Sequence, residues 1–287
     1  HSASINRSLK ENAYAATAGG CDARIAVVSP IIGTVTADAL SESATGVGVG
    51  SVRGDRVLYC FPGVRIEVKE ISSVGAIGGI GFTNDGIIEQ GTDSWMCAVR
   101  SRIPAHHSAG KNLRDSNVGE LPILSLEADY ESSLGGTGLE LDDYKQFKAK
   151  GIAAVRRMKG IGYVFQSDVT AVVRELDKPI SPAYRRFVTD NLIDDGYTVC
   201  VKYKDEVNSA QVRSAIQVQL RGLLQTYVRS GAVVGYEVKL DSSKEQLDAG
   251  LLIFIVSAKL AGIINAIALR LRVGAEGVDV EELAKAA

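Results

Sequence analysis

Residues Gly231–Val273 read GAVVGYEVKLDSSKEQLDAGLLIFIVSAKLAGIINAIALRLRV, three strand-like runs separated by polar or glycine breaks. In the first run, Val233–Leu240, the residues Val234, Tyr236, Val238 and Leu240 share one face and Glu237 and Lys239 the other. Leu251–Val256 is apolar on both faces. Ile263–Val273 ends in strict alternation, with Ile267, Leu269, Leu271 and Val273 set against Arg270 and Arg272. A period of two with a polar back marks a strand covered on one side, and a run apolar on both faces marks a central strand. The stretch therefore predicts a small closing sheet of mostly antiparallel strands, with arginines along its last strand and no catalytic group in it.

The preceding segment, Asn208–Arg229, predicts the longest helix, with the apolar stripe Val212, Ile216, Leu220, Leu223 and Tyr227 and a stop at Ser230-Gly231. Before it, Tyr197–Tyr203 reads as a strand, and Ser181-Pro182 opens a helix that Gly196 ends. Asp142–Lys150 reads as a helix capped by Asp142 or Asp143 and stopped at Gly151. Ile152–Met158 and Gly162–Val173 read as a strand pair. In the N-terminal half the sequence predicts a helix over 5–18, a buried strand over Arg24–Ser29, a helical turn over Thr36–Ser43, a strand over Arg56–Val68 bent at Pro62, and a helix over Trp95–Arg102. Residues 69–92 read as glycine-rich loop with short strands, 105–135 as a long polar connection, and the tail Gly274–Ala287 as acidic, then helical or frayed.

At 287 residues the chain can bury a full core and has room for two domains, expected at 1–135 and 136–287. The fold class expected is α/β (α+β), with mixed sheet layers, packed helices and a largely antiparallel C-terminal sheet. Hydrophobic content of 46% and charged content of 23% are ordinary for a soluble globular protein. A net charge of −2 supplies no general attraction to nucleic acid or anionic membrane. Cys21, Cys60, Cys97 and Cys200 are far apart, three of them in apolar contexts, and read as reduced and mostly buried, as in a protein made in the cytosol. No signal peptide or membrane-length apolar run is present, and the start at His1-Ser2 suggests that the natural chain is longer.

Chemistry-bearing patterns are weak. Gly46, Gly48 and Gly50, and Gly75, Gly78, Gly79 and Gly81, invite a nucleotide-loop reading, so a small-ligand α/β enzyme using 46–50 or 75–81 is the alternative function. Neither segment has the Lys-Ser/Thr and helix that a phosphate loop requires. His106-His107 lack ligands at metal spacing, and no G-x-S-x-G elbow supplies a nucleophile for them. The expectation is no catalytic residue, no cofactor and no metal. Trp95 is expected to be buried, and Asp142-Asp143 and Asp194-Asp195 to sit at helix ends. Arg156-Arg157, Arg185-Arg186 and Arg270/Arg272 are expected to meet acidic partner surfaces.

Taken in order, several segments resemble the tail sheath proteins of contractile-tailed bacteriophages and related contractile injection machines. They are RVLYCFP (56–62), AVRSRIPAHHSAGK (98–111), LDDYKQFKAKGIAAVRRMKGIGYV (141–164), YRRFVTDNL (184–192), and the long helix and strands over 208–240 and 251–273. The resemblance covers about residues 20–273. The chain departs where the family often has Trp-Gly-x-Arg-Thr, reading Phe165-Gln166-Ser167-Asp168-Val169 there. The resemblance implies a structural subunit without catalysis that polymerises helically around a tail tube and contracts to drive the tube through the host envelope during genome ejection. It implies neighbouring copies, the tube protein, and baseplate and terminator proteins as partners, with no direct nucleic acid and no membrane insertion. It also implies assembly in the host cytoplasm into a virion, and terminal arms that add strands to neighbours' sheets. On that basis Ile267, Leu269, Arg270, Leu271, Arg272 and Val273 are the expected assembly interface, with Ile263–Val273 or its neighbouring strand as the socket.

Overall fold

The computed structural model describes residues 2–18, 24–30, 54–67, 87–110, 123–126, 139–158, 162–171, 182–262, 267–275 and 278–286. The turn expected at Thr36–Ser43 and the glycine segments 46–50 and 75–81 lie outside them. The first half contains α1 (Ser2–Ala18), β1 (Ala26–Val28), β2 (Val57–Phe61), β3 (Val64–Glu67), β4 (Ile87–Gln90), α2 (Asp93–Arg102) and β5 (Ile123–Leu126). Then follow α3 (Leu141–Ala149), β6 (Ile152–Met158), β7 (Gly162–Phe165), α4 (Ala183–Val201), α5 (Ala210–Arg229) and β8 (Val233–Leu240). The chain closes with α6 (Lys244–Asp248), β9 (Phe254–Leu260), β10 (Ile267–Ala275) and β11 (Val278–Ala286). The α/β class holds.

The core is a mixed sheet in the order β1-β2-β6-β7, parallel except for the antiparallel β6–β7 hairpin. It draws strands from both sides of residue 135. All five residues of β2 are buried, as a parallel strand covered on both faces must be. The alternation sorts them. Leu58 and Cys60 pack with Ala153 and Val155 of β6 against Met96 and Val99 of α2. Val57, Tyr59 and Phe61 pack with Ile152 and Ala154 against Tyr144 and Phe147 of α3 and Ala13 of α1. The result is three layers, helix–sheet–helix. Pro62 ends β2 at a cis peptide and β3 starts two residues later in a second sheet, β4-β3-β5. The connection expected over 105–135 thus contains a strand, β5.

Helix α3 starts one residue before the expected Asp142. Glu140 is its N-cap, and Asp143, three residues on, accepts from the Glu140 N–H at 2.8 Å. Its stop is Gly151, whose φ of +73° and approach to Thr170 O, 2.7 Å from where a Cβ would lie, exclude any other residue.

The largest departure from the sequence reading is at Tyr197–Tyr203. It is not a strand: α4 runs unbroken from Ala183 to Val201, and Gly196 lies inside it. The apolar residues there have two periods. Val199 and Tyr203 continue from Leu192 by steps of seven and four residues, and all three pack on the cluster formed by Ile216, Leu220, Leu224 and Val238. That packing outweighs the propensity of one glycine, which costs about 1 kcal/mol in a helix. In consequence Asp194-Asp195 sit in mid-helix, not at an end, and Asp195 accepts from the Tyr227 hydroxyl at 2.6 Å. Helix α5 is as expected, with Ser209 as N-cap accepting from Val212 N at 3.2 Å.

The closing region is also corrected. It forms two separate two-stranded antiparallel ribbons, β8–β9 and β10–β11. Leu251 and Leu252 do not begin a strand: Leu251 N bonds Gln246 O at 2.8 Å, closing α6, whose capping box joins Ser243 and Gln246. The strand begins at Phe254 and is not a covered central one, since Ile255 and Val256 are exposed. The tail expected to be helical or frayed is β11, paired with β10 so that Arg272 stands opposite Glu281.

Candidate assembly interface

The β8–β9 ribbon packs on α5, and its backbone fixes which groups face outward. Asp241 N donates to Ile253 O at 2.9 Å and Ala261 N to Ala232 O at 3.0 Å. Odd-numbered residues of β9 therefore face β8. By the antiparallel alternation, Phe254, Val256, Ala258 and Leu260 turn their N–H and C=O groups to the other edge. Among the described residues no strand occupies that edge.

The side chains of those same four residues line an apolar groove of about 490 Å³ between β9, α4 and α5. Ile193, Tyr197 and Cys200 of α4 form its far wall and Leu220, Leu223 and Leu224 of α5 its floor. Ile193 is 58% exposed, Tyr197 69% and Val256 44%. Cys200, exposed overall, is covered enough on this side that partial burial raises its thiol above the ordinary value. An open edge beside an apolar trough takes an extended segment, with backbone bonds along the edge and alternate side chains in the trough. Contiguous exposed apolar patches on soluble proteins are where interaction sites are found.

The sequence reading missed α4's contribution because it broke the helix at Gly196. The signal was the spacing Ile193, Tyr197, Val201, a second stripe beside Leu192, Val199 and Tyr203. The expected interface residues Ile267, Leu269, Arg270, Leu271, Arg272 and Val273 all lie on β10, one edge of which is held by β11.

Other candidates resolve into structure. Arg186, expected to meet a partner, is internal: it bridges Asp55 at 3.2 Å and Asp190 at 2.5 Å. Arg56 forks onto Asp190 at 3.1 and 3.2 Å, with both side chains more than nine-tenths buried. Tyr14 of α1 donates to Asp55, and burial followed by that carboxylate pushes its phenol well above its usual range. This network ties α1, the start of β2 and the base of α4 together. Arg185 Nε donates to the Tyr184 hydroxyl at 3.1 Å, and Arg156 lies over the Tyr144 ring. A second buried pair, Arg100–Asp168, holds α2 to the segment after β7, with Arg100 also donating to His107 O at 2.7 Å. Trp95 packs partly buried against the core. Cys60 is buried, but Cys97 and Cys200 are exposed, against expectation: neither helix face they occupy turns fully inward.

Among the described residues no group of three or more His, Cys, Asp or Glu could hold a metal ion, and no helix is long and apolar enough to cross a membrane.

No protein-family model matches the chain, and no curated protein matches it. Solved structures do. The anti-feeding prophage helical sheath in its contracted state superposes with a TM-score of 0.62 at 15% identity, over 90% of this chain and 64% of that one. The sheath complex of the extracellular contractile injection system PVC, also contracted, gives 0.60 at 12% identity over 86% and 63%. A sheath tail protein from Desulfitobacterium hafniense gives 0.55 at 10% identity over 89% and 53%. The chain spans about 64% of the length of the first of these and 53% of the last. It has the fold of contractile sheath subunits.

Proposed function

We propose that the chain is the core of a contractile sheath subunit, a structural protein rather than an enzyme, that polymerises helically around a tail tube. The observation that carries this is the open β9 edge beside an apolar groove, in a chain with the sheath fold. An edge built to accept a strand from another copy gives a heterologous contact, and repeated along an axis such contacts form a filament. The socket is β9, the strand adjoining the Ile263–Val273 run. The interface residues Ile267, Leu269, Arg270, Leu271, Arg272 and Val273 belong to the strand that passes between copies. The spacing of Ile267, Leu269, Leu271 and Val273 matches that of Phe254, Val256, Ala258 and Leu260. Within 136–287 the assembling layer is α4, α5, β8 and β9, and the sheet that β6 and β7 share with β1 and β2 of 1–135 supports it. Contraction of the polymer drives the tube through a target envelope, in genome ejection if the machine is a phage tail. The partners are copies of the chain, the tube, the baseplate and the tail terminator. The particle is assembled in the bacterial cytoplasm.

Electron microscopy of the full-length protein, alone and with its tube protein, is expected to show hollow helical tubes or rings. A protein that remains monomeric under both conditions refutes the proposal. Leu269→Pro or Leu271→Pro removes an N–H from the exchanged strand and is expected to abolish the tubes in a folded chain.

A further inference from the structure

The ribbon β10–β11 pairs without a bulge from Ile267↔Ala286 to Ala275↔Val278. Only Glu276-Gly277 separates the strands in the chain, and glycine is a residue that two-residue hairpin turns favour. Such a turn closes on a bonded pair. The alternation from there gives β11 the N–H and C=O groups of Val273, Leu271, Leu269 and Ile267. Those are four of the six residues assigned above to contacts between copies, and in the free chain their backbone is engaged by a strand of the same chain. Register also sets the faces. Residues directly opposite one another share a face, so Leu269, Leu271 and Val273 share theirs with Ala284, Glu282 and Val280. One acidic residue, Glu282, thus stands in a face otherwise made of Ile, Leu, Val and Ala. The trough between β9, α4 and α5 has no Lys or Arg among its lining residues. A carboxylate carried into it has no counter-charge, and burying an unpaired charge is costly. Natural sheets use a charged residue on an otherwise apolar strand to block unwanted pairing. No third strand joins β10 or β11 among the described residues, and a two-stranded ribbon is only marginally stable in water. It holds β10 and can release it.

We propose that β11 is a guard strand, an autoinhibitory contact that keeps free subunits apart. In the free chain it occupies the backbone of β10 and, through Glu282, keeps that face out of the trough of another copy; assembly starts when β11 lets go. This rests on the reading above that Ile267–Val273 passes between copies, and adds the step that restrains it. The affinity of one copy for the next is lowered by the fraction of chains whose ribbon is open.

The test locks the ribbon shut and, separately, removes the guard. Arg272→Cys combined with Glu281→Cys puts two thiols at a non-bonded cross-strand pair, where opposite Cα atoms lie about 4.5 Å apart, within reach of a disulfide. Assembly of the full-length protein in the presence of its tube protein is followed by light scattering and electron microscopy. The oxidised double variant is expected to stay unassembled and to form tubes once reduced. The wild type, treated with the same oxidant to control for its own cysteines, is expected to form them throughout. A chain ending at Ala275 is expected to shorten the lag before tubes appear by about five-fold or more. An oxidised variant that assembles as its reduced form does, or a truncated chain with an unchanged lag, overturns the guard and leaves the assembly reading standing. A wild type that forms no tubes overturns that reading and the guard with it. The truncated chain keeps the test decisive if the double variant does not fold.

Discussion

The sheet β1-β2-β6-β7 and the layer formed by α4, α5, β8 and β9 use their apolar residues to different ends. In the sheet, every residue of β2 is buried, helices cover both faces, and the charges beneath it are matched in pairs such as Arg56–Asp190. In the other layer Ile216, Leu220, Leu224 and Val238 form a buried cluster, and above it Ile193, Tyr197 and Val256 line an open trough. Single exposed apolar residues are ordinary on a soluble protein, but a contiguous trough beside an unpaired strand is not. The first region is finished within one chain. The second keeps an apolar trough and a strand edge open among the described residues.

Four substitutions sharpen or break this contrast, ordered by their expected effect on the isolated subunit. Asp190→Ala strands the buried Arg56 guanidinium and leaves Arg186 half-paired. It is expected to cost about 3–5 kcal/mol in urea unfolding, and a loss below 1 kcal/mol shows that the network does not join the two regions. Leu220→Ala opens a cavity in the closed cluster under the trough and is expected to cost about 2–5 kcal/mol. A cost as small as that of a surface residue means that α5 is not anchored there.

Tyr227→Phe removes the bond to Asp195 and is expected to cost about 1 kcal/mol at neutral pH. Its clearer readout is pH dependence. Burial, then the Asp195 bond, raises the Tyr227 phenol above its ordinary 10.0, and Tyr14 is raised likewise by burial and Asp55. The folded chain therefore keeps these protons longer than the unfolded one. Stability is fully present below about pH 10 and is lost as pH rises beyond it. Urea midpoints measured from pH 8 to 11 should fall above pH 10, less steeply in Tyr227→Phe; parallel curves dismiss the phenol's part. Smallest of all for the subunit is Tyr197→Ser, expected to change stability by less than about 0.5 kcal/mol because the ring is mostly in water. It should nonetheless weaken polymerisation by ten-fold or more in sedimentation assays. Unchanged polymerisation removes α4 from the interface.

The sheet half was legible because its signals are local and agree. Val57–Phe61 is apolar on both faces, Phe147 and Tyr144 share a helical face, and Gly151 stops that helix where the backbone needs a positive φ. The layer of α4, α5, β8 and β9 was legible in α5 and β8 but not at Tyr197–Tyr203. There alternating Tyr, Val and Val residues satisfy a strand period and a helix period at once, and only contacts with α5 decide between them. Which strand keeps an open edge could not be read from the sequence. Whether β9 has a partner on each edge depends on pairing across the fold, and Gln217 meets Val238 twenty-one residues away. The charged pair Arg185-Arg186 misled for a related reason: the carboxylates that take Arg186 inward include Asp55, far from it in the chain.

The hydroxyl of Tyr184, at the first turn of α4, donates to Ala261 O at 3.1 Å, one residue past the end of β9. Two residues further along α4 is Arg186, and one turn beyond that is Asp190, locked to Arg56 at the mouth of the central strand β2. The end of β9 is thus joined through the first turns of α4 to the buried ion pairs beside β2. Charge-assisted bonds of this kind give little before they break. Load applied at the end of β9 therefore meets the root of α4 and its paired charges before it meets the open trough.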